Sequence, residues 1–321
     1  MRRLLALIAI PVMACLVLAA CGGSAKPAAS SSSAGTTGSA VTAAGAFGTM
    51  PKVTIPKKKP DDKLTVKTLI QGTGSTVTNK DSLITNFVLY YWDGTTSSQK
   101  ASTYGRTPSL IGGTMLPGLE TALYGQKVGS RVLAVIPPAQ GYGKNGNPEL
   151  GITASTTLVF VIDVIRSYSN TASATGAQQP GGGNGMPTVS AKAGSAPTVT
   201  IPSGNPPGNL IVQTLIKGSG AKVAKGEYVV AQYVGYIWKT KKVFGSSWQG
   251  GSPFGFITGA SPPQVIPGFD KGIQGQTVGS RVMLVIPPAQ GYGKAGQSQA
   301  GIKGTDTLVF VVDILDALKG S

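Results

Sequence analysis

The chain contains no histidine, and its only cysteines are Cys15 and Cys21. Without imidazole, Ser-His-Asp triads, HExxH metal sites and histidine proton relays are excluded. Two cysteines so placed exclude zinc clusters, CxxC redox pairs and a disulfide framework. Charge is scarce as well: 12% of residues are charged, and 12 acidic residues face 28 basic ones for a net +16. The chemistry must proceed without a thiol, an imidazole or a soft-metal site. What is abundant is glycine (46) and proline (22) beside a 41% hydrophobic fraction. That composition builds cores joined by loops and linkers, and the length suits about two domains of roughly 150 residues each.

Arg2 and Arg3 precede an apolar stretch from Leu4 to Leu18, interrupted by Pro11, and small residues then lead into Leu18-Ala19-Ala20-Cys21. A charged start, an apolar middle and a small-residue cleavage site make a secretory signal over residues 1–20, not a membrane span. The tetrapeptide ending at Cys21 resembles the lipobox of bacterial lipoproteins, whose cysteine is acylated and becomes the new amino terminus. The resemblance implies a protein anchored by lipid on the extracytoplasmic face of the cell membrane. An ordinary signal peptide with an incidental cysteine is the competing reading.

Removal of residues 1–20 takes Arg2 and Arg3, so +16 becomes +14. On an exported chain this balance points to anionic lipid or wall polymer and not to nucleic acid. The Lys57-Lys58-Lys59 run has no interleaved aromatic to stack on bases. Residues 21–50, nearly all Ser, Ala, Gly and Thr after Cys21, cannot bury enough apolar area to offset their ordering entropy and read as a flexible tether. Residues 169–204, with Gln178-Gln179-Pro180-Gly181-Gly182-Gly183, read as a linker of the same kind.

Between these segments the sequence repeats. Pro51-Lys-Val-Thr-Ile-Pro56 returns as Pro197-Thr-Val-Thr-Ile-Pro202, and Val135-Ile-Pro-Pro-Ala-Gln-Gly-Tyr-Gly-Lys144 returns unchanged at Val285–Lys294. The offset is 146 in the first case and 150 in the second, which places four extra residues between Trp238 and Pro267. A long unit present twice is a duplicated globular domain, here 51–168 and 205–321. Within each copy, β-branched and aromatic runs bounded by turns predict strands over 64–70, 82–92, 131–136 and 157–165, with counterparts at 209–216, 227–238, 281–286 and 307–315. Residues 254–258 add a further candidate strand, and only 118–126 and 268–276 look helical. The fold class is therefore α+β, an antiparallel sheet against one short helix in each copy.

Gly141-Tyr-Gly-Lys-Asn-Gly146 and Gly291-Tyr-Gly-Lys-Ala-Gly296 both match GxGxxG. A dinucleotide site needs a helix opening at those glycines, and the residues that follow have no helical period. The match is read as coincidence.

A different signature runs through the second copy: Tyr233, Phe244 in Val-Phe-Gly-Ser-Ser, Phe254 and Phe256 in Pro-Phe-Gly-Phe, Val265-Ile266-Pro267-Gly268-Phe269, Gly291-Tyr292-Gly293, and Thr307-Leu-Val-Phe310. Its order and spacing resemble the FKBP-type peptidyl-prolyl cis–trans isomerases over about residues 210–317, and residues 64–166 match less completely. The resemblance implies two FKBP-like domains, each a twisted half-barrel sheet wrapped on its helix. It also implies isomerisation of X-Pro bonds in exported proteins, with no cofactor and no metal, and partners that are proline-containing unfolded or extended polypeptides and macrolide inhibitors. Carried over by motif, Phe269 is the platform for the proline ring. Tyr233, Phe244, Phe254 and Phe310 wall the pocket, and Val265, Ile266 and Ile302 line it. Ile266 N–H and the Tyr292 hydroxyl reach the peptide carbonyls.

Two departures stand out. Gly245 occupies the position where the family usually has Asp, which predicts reduced turnover, and Phe269 stands where Trp is common. In the first copy Phe87, Met115, Leu116, Leu119, Tyr142 and Phe160 are the counterparts, and the 94–107 stretch shows no Phe-Asp element. The expectation is a thinned pocket there, with the second copy isomerising and the first binding or spacing. Two other function classes remain: a non-catalytic client-binding protein with two grooves, and a structural envelope lipoprotein.

Overall fold

The computed structural model describes residues 40–181, 183, 185–192 and 194–319. The expected signal sequence, Cys21 and residues 22–39 of the expected tether lie outside the described residues. The chain forms two compact units that divide near residue 168.

The first repeat comprises β1 (Thr42–Ala44), β2 (Lys52–Thr54), β3 (Thr65–Ile70), β4 (Asp81–Asp93), β5 (Thr96–Ser102), β6 (Ser109–Ile111), α1 (Pro117–Leu123), β7 (Arg131–Ile136) and β8 (Thr157–Ser169). The second comprises β9 (Ala177–Gln178), β10 (Thr188–Ser190), β11 (Thr198–Thr200), β12 (Ile211–Lys217), β13 (Tyr228–Ile237), β14 (Val243–Ser246), α2 (Ser247–Gly250), β15 (Phe254–Ile257), α3 (Pro267–Ile273), β16 (Arg281–Ile286) and β17 (Leu308–Leu318). Sheet order is β3-β7-β8-β4-β5 with β6 also on β4 in the first repeat. In the second it is β12-β16-β17-β13-β14 with β15 also on β13, and β9 added outside β12. The pairs β12–β16, β16–β17, β13–β17, β3–β7, β7–β8 and β4–β5 run antiparallel. The one-turn α2, capped by Ser246 accepting from Gln249 N–H, is an element the sequence reading lacks.

Period-two alternation puts the two faces of each central strand into two different cores. On β16, Val282, Leu284 and Ile286 join Phe269 and Ile273 of α3, whereas Met283 and Val285 point the other way. On β7 the same split gives Val132, Ala134 and Ile136 to α1, and Leu133 and Val135 to the outer face. Helix α3 lies hard against the sheet: a β-carbon on Gly268 would sit 2.5 Å from Ile286 Cγ2, so only glycine allows that approach. Pro267 and Pro117 occupy the first turn of α3 and α1, where a missing N–H costs nothing.

The outer faces revise two boundaries. Residues 40–50, expected in the tether, carry β1, which pairs with β2 and lays Val41 and Ala43 over Val88, Trp92, Leu133 and Val161. Residues 169–204, expected as a linker, carry β9 and the equivalent β10–β11 hairpin, which lays Val189, Val199 and Ile201 over Trp238, Met283 and Val309. Composition misjudged both segments because one apolar residue in two suffices when the sheet supplies the rest of the core.

An ion pair fastens each strap. Arg131 Nε donates to Asp163 Oδ1 at 2.6 Å, both side chains being fully buried, and the guanidinium also donates to Gly45 O (2.8 Å) and Thr49 O (2.7 Å). Gly48 N–H donates to Asp163 Oδ2 at 2.7 Å. In the second repeat Arg281 holds Asp313 at 2.6 Å, and Ala174 N–H donates to that carboxylate at 2.9 Å. These aspartates are the residues twenty beyond the second glycine of each GxGxxG match. The glycines themselves lead into 3-10 turns, Gly143–Asn145 and Gly293–Ala295, and no helix opens there.

Candidate functional site: an aromatic cleft in the second repeat and a wider one in the first

Six elements converge on one cleft in the second repeat. Strand β13 supplies Tyr233, β14 Phe244, β15 Phe254 and β17 Phe310, while the start of α3 supplies Val265, Ile266 and Phe269, and the turn after β16 supplies Tyr292. These eight residues and Gln264 line an open cleft of about 450 Å³, the solvent at its mouth included. Phe310 is the hub: its ring centroid lies 5.2 Å from Phe269, 5.3 Å from Phe244 and 6.1 Å from Tyr233, with the first two edge-to-face. Tyr233 meets Phe254 edge-on at 5.7 Å. Edge-to-face pairs bring the positive rim of one ring to the negative face of the next, at about 0.5–1.5 kcal/mol each beyond burial. They fix the wall orientations without any polar group.

Phe256 is fully buried behind the cleft, stacked on Phe254 at 5.6 Å and edge-on to Phe269 at 5.4 Å, which makes it core. Ile302, expected as lining, packs in the core cluster with Phe269 and Phe310 and is not among the nine residues around the cleft; its N–H and C=O are both bonded to Gln297.

Three polar residues unforeseen from the sequence support the site. Ser247 Oγ accepts from Tyr233 N–H at 2.8 Å and donates to the buried Gln232 Oε1 at 2.5 Å, replacing the ladder bond lost where α2 interrupts the strands. Gln264 Oε1 accepts from Ile257 N–H at 2.8 Å, tying the approach to α3 onto β15. No periodicity or spacing marks these residues; only the β14–α2 break makes Ser247 necessary. Burial raises the Tyr233 hydroxyl above its ordinary pKa, and burial followed by repulsion from Tyr233 does the same for Tyr292. Both therefore stay protonated as donors at neutral pH. No carboxylate lines the cleft.

The first repeat gathers its six counterparts, Phe87, Met115, Leu116, Leu119, Tyr142 and Phe160, around a cleft of about 930 Å³. The expected thinning is instead an opening. Leu119 underlies the space where Phe269 fills it, and Phe87–Phe160 at 5.9 Å is the ring pair of this cleft. The structure also finds the missing wall. Strand pairing sets Ala101 opposite Leu89 as Gly245 is opposite Gly235, with one bulged residue before each: Lys100 in the first repeat and Phe244 in the second. Thr103 Oγ1 accepts from Phe87 N–H at 2.9 Å, as Ser247 does from Tyr233. A lysine thus stands where the second cleft has an aromatic wall.

Comparison with known proteins agrees with this geometry. The family model described as FKBP-type peptidyl-prolyl cis-trans isomerase matches residues 74–165 and 219–315. An FK506-binding protein of Streptomyces anulatus is 39% identical over 119 residues, covering 37% of this chain and 94% of that protein. Peptidyl-prolyl cis-trans isomerase FKBP9 of Mus musculus is 27% identical over 243 residues, covering 73% of this chain and 35% of its own length. Among solved structures, FkpA from Escherichia coli is 35% identical, covers 34% of this chain and 48% of that one, and has a TM-score of 0.31. With a family match on each cleft-bearing repeat and more than half of its residues included, the chain belongs to the FKBP-type peptidyl-prolyl cis-trans isomerases.

Proposed function

We propose that the second cleft catalyses cis–trans isomerisation of X-Pro bonds in exported polypeptides, and that the first repeat binds the same clients without turning them over. The X-Pro bond rotates over a barrier of about 18–20 kcal/mol set by amide resonance, taking tens to hundreds of seconds unaided. No bond is made or broken, so neither nucleophile nor cofactor is required. The proline ring would lie on Phe269 against Phe310, with Ile266 N–H and the Tyr292 hydroxyl holding the flanking carbonyls. Rotation reduces the charge separation of the amide, and an apolar aromatic surface favours that less polar state over the planar one. The observation that carries this reading is the aromatic cleft of Tyr233, Phe244, Phe269 and Phe310 with a protonated Tyr292 at its edge.

Residues 1–20 would direct export, and acylated Cys21 would hold the chain at the outer face of the membrane. Macrolide inhibitors of the kind named for the Streptomyces relative would compete for the second cleft. A non-catalytic client-binding role is the second reading, favoured by the glycine at position 245. Refolding of an exported protein limited by proline isomerisation tests the proposal: the full chain should shorten the slow phase, and a macrolide should restore it. Metabolic labelling with palmitate, present in the wild type and absent from Cys21→Ser, tests the anchor.

A further inference from the structure

The first cleft has lost the features that suit a proline ring and gained a different set. Its floor is Leu119 in place of Phe269, and its open space, about 930 Å³ against 450 Å³ with the solvent at each mouth included, is about twice that of the second cleft. Leu150, 52% exposed, extends the apolar surface at its mouth, where Tyr91 Oη donates to Leu150 O at 3.1 Å. The bulged Lys100 brings a charge to this lip: its exposed ammonium lies 5.2 Å from the centroid of the Tyr91 ring, and Tyr91 lines the cleft. Among the described residues no carboxylate lies within salt-bridge distance of Lys100. A cation fixed on an aromatic face beside an apolar space is complementary to a ligand that carries an apolar group next to an anion.

We infer that the first cleft binds a bulky aliphatic or aromatic side chain lying next to a carboxylate in an extended, proline-free stretch of polypeptide. The side chain enters between Leu119 and Phe160, and the neighbouring acidic residue meets Lys100. The two repeats then read two different features of one client: an apolar–acidic step in the first cleft, and an X-Pro step in the second. This inference rests on the reading of the first repeat as a binding domain.

The test uses the full chain and fluorescein-labelled peptides of sequence Ala-Ala-Phe-Glu-Ala-Ala, with Phe-Gln, Phe-Lys and Ala-Glu versions, followed by anisotropy. The Phe-Glu peptide should bind up to about fivefold tighter than Phe-Gln, the worth of one ion pair at a partly desolvated site, and tighter than Ala-Glu, which lacks the apolar side chain. Lys100→Gln, at an exposed position where folding is not at stake, should equalise Phe-Glu and Phe-Gln, and Lys100→Glu should shift preference to Phe-Lys. An excess of an X-Pro peptide should not displace the probe. Equal affinity for Phe-Glu and Phe-Gln, indifference to Lys100→Gln, or displacement by the X-Pro peptide would each overturn the inference. Catalysed X-Pro exchange measured on the same sample separates the two readings. Exchange without selective peptide binding removes this inference alone, whereas loss of both removes the functional proposal as well.

Discussion

A side chain at Gly245 would begin 3.4 Å from the Tyr233 hydroxyl, with no other group in the way. Gly245 lies outside the left-handed region of backbone space, so a larger residue fits without strain. Gly245→Asp should therefore place a carboxylate to accept from Tyr233, orienting that hydroxyl at the cleft edge. The expected result is a rise in kcat/KM of up to about tenfold, the worth of one charge-assisted hydrogen bond. Gly245→Ala should leave the rate unchanged, which distinguishes the carboxylate from the added bulk.

Phe269→Leu converts the platform of the second cleft into that of the first. The substitution keeps a bulky apolar residue at a 3% exposed position and should cost stability of about 1–2 kcal/mol. Activity should fall by more than about tenfold, since the face that supports the proline and its ring pairs with Phe256 and Phe310 are lost together. A steady-state assay beside thermal unfolding separates the two effects.

With no histidine in the chain, activity should be flat from about pH 5 to 9. Stability should fall in alkali. Burial pushes Tyr228 up to about 12 and raises Tyr233 and Tyr292, so the folded protein keeps protons that the unfolded chain releases from about pH 10 upward. The contribution is fully present below pH ~10, the unfolded value, and is lost as pH rises toward the folded value. Denaturant titrations between pH 7 and 11 should show this loss, and Tyr228→Phe should reduce it.

The straps should depend on their ion pairs. Asp313→Asn leaves the guanidinium of Arg281 buried without its counter-charge and should cost about 3–5 kcal/mol. Hydrogen exchange should rise first around residues 170–176, because Ala174 N–H loses its charged acceptor. Asp163→Asn should do the same around Gly48 in the first repeat.

The motif-bearing half of the second cleft is legible because the order and spacing of Tyr233, Phe244, Phe254, Phe269 and Phe310 resemble the FKBP-type signature, whose pocket positions carry over to them. Ile302 falls outside the cleft lining and in the core cluster beside it, a difference that spacing does not report. The wall of the first cleft was hidden by compensating length changes. Leu89 and Gly235 are separated by 146, whereas Ala101 and Gly245 are separated by 144. The hairpin is thus two residues shorter in the second repeat before the α2–β15 segment lengthens it. Only strand pairing through the bulge reveals that Lys100 replaces Phe244. The straps were hidden for another reason: their few apolar residues matter only against a sheet face that already holds Leu133, Val135, Met283 and Val285.

The central claim, that the second cleft is the site of turnover, is tested most directly by exchange spectroscopy on an X-Pro peptide. The full chain is compared with Tyr292→Phe and Phe269→Leu in the second repeat, and with Tyr142→Phe in the first. The account predicts cis–trans exchange far above the uncatalysed rate, reduced by both second-repeat substitutions and untouched by Tyr142→Phe. Exchange that survives Phe269→Leu but falls with Tyr142→Phe would contradict it.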